Sequence, residues 1–401
     1  MKKKIVLFGV ALAALATFNS CSNENDLTQV MEQPAVKGTP FSVSAFENDT
    51  RAIRYGSDGT GKDVDGTASG FVSWFKLYGS QATATPNVWI DNVVYTREAA
   101  ADKFTTTAAL NWPEENTETP TSFYAITDND ASGDLLTGTV AWTPSEGKFT
   151  YTIPTTTATV KYVDYDEFEE TSSSKTVVNI GDLRDLMVAS ENTAETTDGK
   201  IPLDFQHALS SIAINVWFVS GQANTVVPAT VSIKSVMLSG VKGFSTYTFG
   251  SGFAAPTSSV IYYKEFGTPI EVTKEPLTAW DDPTLTPLVA PGEWLVIPQT
   301  CTPWDRSLWD DDFFPGMDGA YISLTVETSQ GVNLISFPLT TNTAHKQDVT
   351  NNPLSDLANV TFSPGKTRII NLNVAFGREH YLNVSGTTAQ FAWEPGTFDI
   401  H

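Results

Sequence analysis

A chain of 401 residues with a formal charge of −22, only 24 basic residues and four histidines is repelled at long range by nucleic-acid backbones and anionic lipid, so neither is expected as a partner. Its length suits two domains rather than a single core. Threonine, valine, aromatics, glycine and proline are spread throughout and long 3.6-residue stripes are scarce, which argues for a mostly β chain of many short strands with few short helices.

Residues 1–20 read as a cleavable export signal: a basic start (Lys2, Lys3, Lys4), an apolar run from Ile5 to about Phe18, and the small Ser20 immediately before Cys21. The apolar run is shorter than the roughly 20 residues that cross a bilayer. Phe18-Asn19-Ser20-Cys21 looks like a relaxed bacterial lipobox, which makes Cys21 the expected lipid attachment site and the first residue after cleavage. Two or three palmitate-type acyl chains there, each buried methylene adding about 0.8 kcal/mol, would hold the protein to a membrane without a spanning helix. Ser22-Asn23-Glu24-Asn25-Asp26 follows, a polar acidic tract suited either to surface export or to a plain solvated tether. With Cys21 acylated, only Cys301 remains, so no intramolecular disulfide is available even in an oxidising compartment.

From Cys21 to Pro40 no apolar face repeats, and a tether is expected, with order beginning near Phe41. Phe41, Val43 and Ala45 then alternate as one face of a first strand. The Thr/Ser-rich patches at 105–122 and 155–160 read as loops. Leu183, Leu186 and Met187 stand at i, i+3 and i+4 within residues 179–190, the best candidate for a short amphipathic helical turn. The polar stretch 191–200 marks a domain boundary. Strict alternation places Ile212, Ile214, Val216 and Phe218 in the core, and likewise Ile322, Leu324, Val326 and Ile370, Leu372, Val374, Phe376.

Little in the chain points to catalysis. No histidine pair has metal-ligand spacing, and His207, after the alternating Leu203 and Phe205, reads as a strand-end residue satisfied by its neighbours. Residues 58–66 fail as a calcium loop because the alignment puts Gly61 and Val72 at ligand positions. The carboxylate clusters at 163–170 and 309–314 read as solvated loops; a polysaccharide hydrolase built on them is the least supported reading. Nucleophile-elbow, phosphate-loop and dinucleotide patterns are missing, so neither an enzyme nor a cofactor is expected. Between Trp280 and Phe314, tryptophans that include Trp304 and Trp309 stand among prolines and aspartates and could offer a sugar or peptide an aromatic surface.

The signal, the FSVSAF strand followed by Asp49-Thr50-Arg51-Ala52, the Trp112 to Ala125 stretch, IPLDFQHALSSIAINV, GKTRIINLNV and AQFAW together resemble the fimbrillin family of Bacteroidetes, the pilin-type lipoproteins of major and minor fimbriae and their Mfa-like relatives. The resemblance implies a two-domain β-sandwich fold of transthyretin-like, Greek-key type. Its divisions here would be the signal 1–20, a lipidated tether and removable first strand 21–51, an N-terminal sandwich 52–197 and a C-terminal sandwich 198–401 with a donor strand at 387–401. The boundary in the polar stretch 191–200 is thereby sharpened to near residue 198. It implies cleavage by an arginine-specific protease at Arg51-Ala52, with Arg54 the competing site, and residence on the outer membrane and then in a fimbrium. Other pilin subunits would be the partners, joined by strand exchange in which Phe391 and Trp393 of a donated C-terminal strand act as anchors. That last strand could equally complete its own sandwich. The rival from another class is a monomeric surface lipoprotein that binds glycan through Trp304 and Trp309.

Overall fold

A computed structural model describes residues 42–47, 72–81, 87–98, 103–108, 110, 121–128, 130, 132–163, 170–193, 200–218, 230–275, 284–302, 319–328, 331–341, 358–376 and 382–391. Among these residues the architecture is almost wholly β, as expected, and the only helical turns are 3-10 turns at Pro144–Glu146 and Ile180–Asp182.

The first sheet is built from β1 (Ser42–Glu47), β2 (Trp74–Gln81), β3 (Asn87–Glu98), β4 (Lys103–Thr105), β5 (Thr121–Thr127), β10 (Met187–Thr193) and β11 (Lys200–His207), in the spatial order β1-β11-β10-β5-β2-β3-β4. Its pairings are antiparallel except that of β1 with β11. Both faces are covered. On one side Phe75, Leu77, Phe123, Ala125, Met187, Ile201, Leu203 and Phe205 form a core with Ile90 and Tyr95, in which Phe75 lies 5.2 Å from Tyr95 and 5.3 Å from Phe205 between ring centroids. On the other side Tyr78, Ile126 and Val188 join the main core. The expected boundary near residue 198 falls in the connection between β10 and β11, neighbours in this sheet.

A second sheet is organised on one long strand, β13 (Thr230–Thr248). Along one side it pairs with β18 (Tyr321–Thr328) and then with β7 (Lys148–Thr152); along the other it pairs with β15 (Thr257–Thr273) and, near its end, with β14 (Gly252–Phe253). β19 (Gly331–Pro338) and β6 (Val140–Thr143) close the two ends. β13 is not a simple alternation. A bulge between Ile233 and Ser235 adds a residue and reverses the phase, so Val231 and Ile233 before it and Val236 and Leu238 after it all reach the same core. Gly240 follows at φ +79°, where a Cβ would fall 1.8 Å from the Gly319 carbonyl oxygen, so only glycine fits there.

The third sheet has the order β16-β12-β23-β24, from β16 (Thr286–Val296), β12 (Ser210–Phe218), β23 (Thr367–Phe376) and β24 (Leu382–Phe391), with β12 and β23 parallel. Ile212, Ile214, Val216, Phe218, Ile370, Leu372 and Val374 pack in one core with Ile322, Leu324 and Val326 of the second sheet, as their alternation requires. The side chain of Phe376 lies outside the described residues. Short pairs complete the structure: β17 (Gln299–Thr300) with β22 (Thr361–Phe362), and β20 (Thr340–Thr341) with β21 (Ala358–Asn359).

Two expectations need correction. The helical turn over 179–190 contracts to the 3-10 turn; Leu186 enters the main core while the adjacent Met187 enters the other, the opposite pointing of an extended chain. Residues 155–160 are no loop but part of β8 (Thr155–Val163), which pairs with β9 (Glu170–Val178) in a hairpin. Val160 and Val177 bury against Met237 and Tyr321 on the outer face of the second sheet.

Candidate functional site

The features most capable of function are strand edges. β11 presents Ile201, Leu203 and Phe205, all buried, on alternate positions, and its ladder partners divide sharply. Lys200 to Phe205 pair with β1, residue for residue from Ser42↔Lys200 to Glu47↔Phe205, whereas only Gln206 and His207 pair with β10. Val43 stands opposite Ile201 and Ala45 opposite Leu203. Among the described residues, then, six residues of β11 take their strand pairing from β1 alone. Backbone N–H and C=O groups stripped of such a partner form a template for another strand.

At the other end of the chain β24 lies antiparallel on β23, from Arg368↔Phe391 to Phe376↔Leu382. The strand considered as a donor is self-paired here. β23 is held on its opposite side by β12 over eight consecutive positions, Ser211↔Thr367 to Phe218↔Val374, so its pairing does not depend on β24 alone.

Beside the first edge, His207 ends β11 with Nδ1 2.6 Å from the Asp185 carboxylate, a partnered strand-end histidine in keeping with its structural reading. An aspartate loop not singled out by the sequence pattern lies nearby. Asp128 accepts the backbone N–H groups of Asp130 and Leu136, and Asp130 accepts that of Ser132. The Arg184 guanidinium stands 2.7 Å from Asp130 and 3.8 Å from Asp128. Burial raises the Asp128 carboxyl above its ordinary range, against the lowering effect of its N–H donors and Arg184. Asp130 is held below that range by Ser132 and then Arg184. The repeated aspartates of residues 128–134 were the available signal; their cation comes from far along the chain.

Among the described residues no group of three or more His, Cys, Asp or Glu side chains is placed to hold a metal, and no helix is long and apolar enough to cross a membrane. Cys301 is a buried free thiol, pushed up to about 12 by burial against the opposing charge of Arg368. Of the aromatic residues between 280 and 314, Trp294 is a fully buried core residue. Cys21, Phe41, Arg51, Ala52, Arg54, Trp304, Trp309 and Trp393 lie outside the described residues, as do residues 58–66 and 309–314 and the interior of 163–170.

The fimbrillin-like family model matches residues 67–390, most of the chain. The chain belongs to the fimbrillin-like family. Fimbrillin-like proteins are a family of fimbrial and adhesion structural proteins rather than an enzyme family, and membership places this chain among pilus-like adhesion subunits of the cell surface. Among solved structures it is similar to a fimbrial protein from Bacteroides vulgatus, at 12% identity over 88% of this chain and 99% of that one, with a TM-score of 0.46. It is also similar to a proposed cell adhesion protein from Parabacteroides distasonis (11% identity, 91% and 97% coverage, TM-score 0.41) and to another from Bacteroides uniformis (16% identity, 80% and 92% coverage, TM-score 0.35). No curated protein matches the chain.

Proposed function

We propose that this fimbrillin-like protein is a pilus subunit that is exported as a lipoprotein through Cys21, cut by an arginine-specific protease at Arg51-Ala52, and polymerised by strand exchange. The observation that carries the proposal is the exclusive pairing of Lys200 to Phe205 with β1 among the described residues. Cleavage after Arg51, four residues beyond the end of β1, would leave that strand with no covalent link to the body, held there by noncovalent contacts that include its ladder with β11. Its six-residue parallel ladder is of the less stable kind per residue. Once it leaves, the edge of β11 and the apolar side chains beneath it accept an extended strand, and the uncharged terminal strand β24 of a neighbour has the length to fill it. The lipid on Cys21 departs with the released segment, transferring the subunit from the outer membrane to the fimbrium.

The test is to treat the purified protein with an arginine-specific protease while following the new N-terminus and the particle size. A single cut at Arg51, or at the competing Arg54, with growth of oligomers that stops when residues 382–401 are deleted, is the expected result. A cut protein that stays monomeric, even when mixed with other pilin subunits, overturns strand exchange.

A further inference from the structure

Edge strands invite pairing with other chains unless prolines, charges, bulges or shortness prevent it. Leaving aside the two terminal strands, nearly every edge among the described residues carries such a device. β15 has Lys264, Glu265, Pro269 and Glu271 and two register shifts; β16 has Pro287 and Pro291 and two shifts of its own. β4 has three residues and a lysine, β6 has four residues, and the hairpin carries Lys161 on β8 and Glu170 and Lys175 on β9. β19 differs. Its sequence, GVNLISFP, contains no charge, its ladder with β18 runs unbroken from Thr328↔Gly331 to Tyr321↔Pro338, and its only proline is the last residue. Ile335 and Phe337 are buried in the main core, whereas Val332 and Leu334 are half-buried.

We propose that β19 is a self-pairing edge, on which two copies of this chain join their second sheets antiparallel about a two-fold axis. The occupant follows from charge. At −22, two copies repel one another over most of their surfaces, and a two-fold contact sets each patch against itself, so any charge on the strand would meet its own like. The uncharged β19 escapes that penalty. Register follows as well. Pro338 has no N–H to donate, which leaves Gly331 to Phe337 as the pairing span, with Leu334 at its midpoint. Opposed residues in an antiparallel pair share a face, so centring on Leu334 sets Asn333 against Ile335 and Val332 against Ser336 and keeps both cores on one side of the continued sheet. This contact is independent of strand exchange and requires no cleavage.

The test uses the uncut full chain in mild detergent with no protease added. Under oxidation Leu334→Cys forms a disulfide-linked dimer through its own symmetry mate, whereas Glu271→Cys on β15 does not. By sedimentation the unmodified protein contains dimers, Val332→Lys abolishes them, and Glu271→Lys leaves them intact. Should Val332→Lys fail to fold, the contrast between the two cysteine variants decides. A protein that sediments only as a monomer, a dimer that survives Val332→Lys in a folded protein, or cross-linking at residue 271 equal to that at 334 overturns the proposal. Growth beyond the dimer that still depends on β19 overturns the two-fold closure.

Discussion

The first and last strands among the described residues occupy opposite situations. β1 offers six residues in parallel to a strand that depends on it for pairing along most of its length, whereas β24 offers ten residues antiparallel to a strand already held by β12. Losing β1 leaves β11 attached mainly through its side chains; losing β24 returns the third sheet to a three-stranded remnant whose inner pairings are intact. An acceptor should be a site that is incomplete without its strand, and a donor should be a strand whose departure its own body survives. In the proposed strand exchange β11 would be the acceptor and β24 the donor.

The largest effects should come from the side chains beneath the two edges. Leu203 on β11 and Leu372 on β23 are both fully buried, and truncation of either to alanine should cost about 2–5 kcal/mol in urea unfolding. The comparison sharpens when the protein is cut after Arg51. With β1 gone, the surroundings of Leu203 are partly opened, so Leu203→Ala should cost less than before, while Leu372→Ala should cost the same. Equal costs at Leu203 before and after the cut, with β1 shown to have left, would mean that β11 does not depend on its neighbour.

Proline at the edges separates pairing from packing. In a strand, one of any two successive residues turns its N–H toward the neighbour. Of Ser44→Pro and Ala45→Pro in β1, and of Ala389→Pro and Gln390→Pro in β24, where both ladders are in unbroken register, one in each pair must therefore lose a ladder hydrogen bond, at about 1–3 kcal/mol. The two ends should then diverge in assembly. If β24 is the donor, as proposed, its variant blocks growth, because the donated strand would need the same hydrogen bonds in its new place. The β1 variant leaves growth unchanged or faster, since under the proposed strand exchange that strand departs in any case. Light scattering after protease treatment checks this, and growth unaffected by both β24 variants would remove β24 as the donor.

How much of this was legible depended on how local the physics was. Ile212 to Phe218, Ile322 to Val326 and Ile370 to Val374 could be assigned to the core because unbroken alternation is a property of neighbouring residues. β13 could not be read as one 19-residue strand, because its bulge at Ile233/Ser235 and its second register shift, between Leu238 and Val241 around the left-handed Gly240, break the period that would announce it. Leu183, Leu186 and Met187 satisfy helical spacing, but a sheet buried on both faces also places apolar residues side by side, and there packing prevails over pattern. The threonines of 155–160 resembled a loop because only one face of their hairpin is apolar. The first strand was visible in Phe41, Val43 and Ala45; its partner was not, since parallel pairing between residues 42–47 and 200–205 leaves no mark near either segment.

A smaller effect tests the loop at the base of the first sheet. Asp128, with a raised folded value, contributes stability that is complete below its unfolded value and lost as pH rises through the folded one. Asp130, with a lowered folded value, contributes stability present above its unfolded value and lost as pH falls through the folded one. Relative to the parent protein, Asp128→Asn should therefore gain stability, and Asp130→Asn lose it, as the pH is raised from about 3 to about 7. Because Asp130 is partly exposed, its loss should stay within a few tenths to about 1 kcal/mol. Unfolding curves with slopes of the same sign would show that Arg184 does not divide the two carboxylates in this way.

The smallest expected effect is an absence of change, and it bears directly on the separation of the two ends. Cys301 sits in the main core beside the third sheet and is 3% exposed, and its thiol is pushed up to about 12, so at pH 8 it is both shielded and protonated. Departure of β1 disturbs a strand whose apolar face lies in the other core. Alkylation of Cys301, followed by mass spectrometry, should accordingly be as slow after cleavage at Arg51 as before it, and should become fast only in urea. Faster labelling of the cut protein under native conditions would mean that the first sheet transmits the loss of its edge strand through Tyr78, Ile126 and Val188 into the main core. In that case release of β1 would loosen the third sheet as well, and accepting a strand at one end would be coupled to donating one at the other.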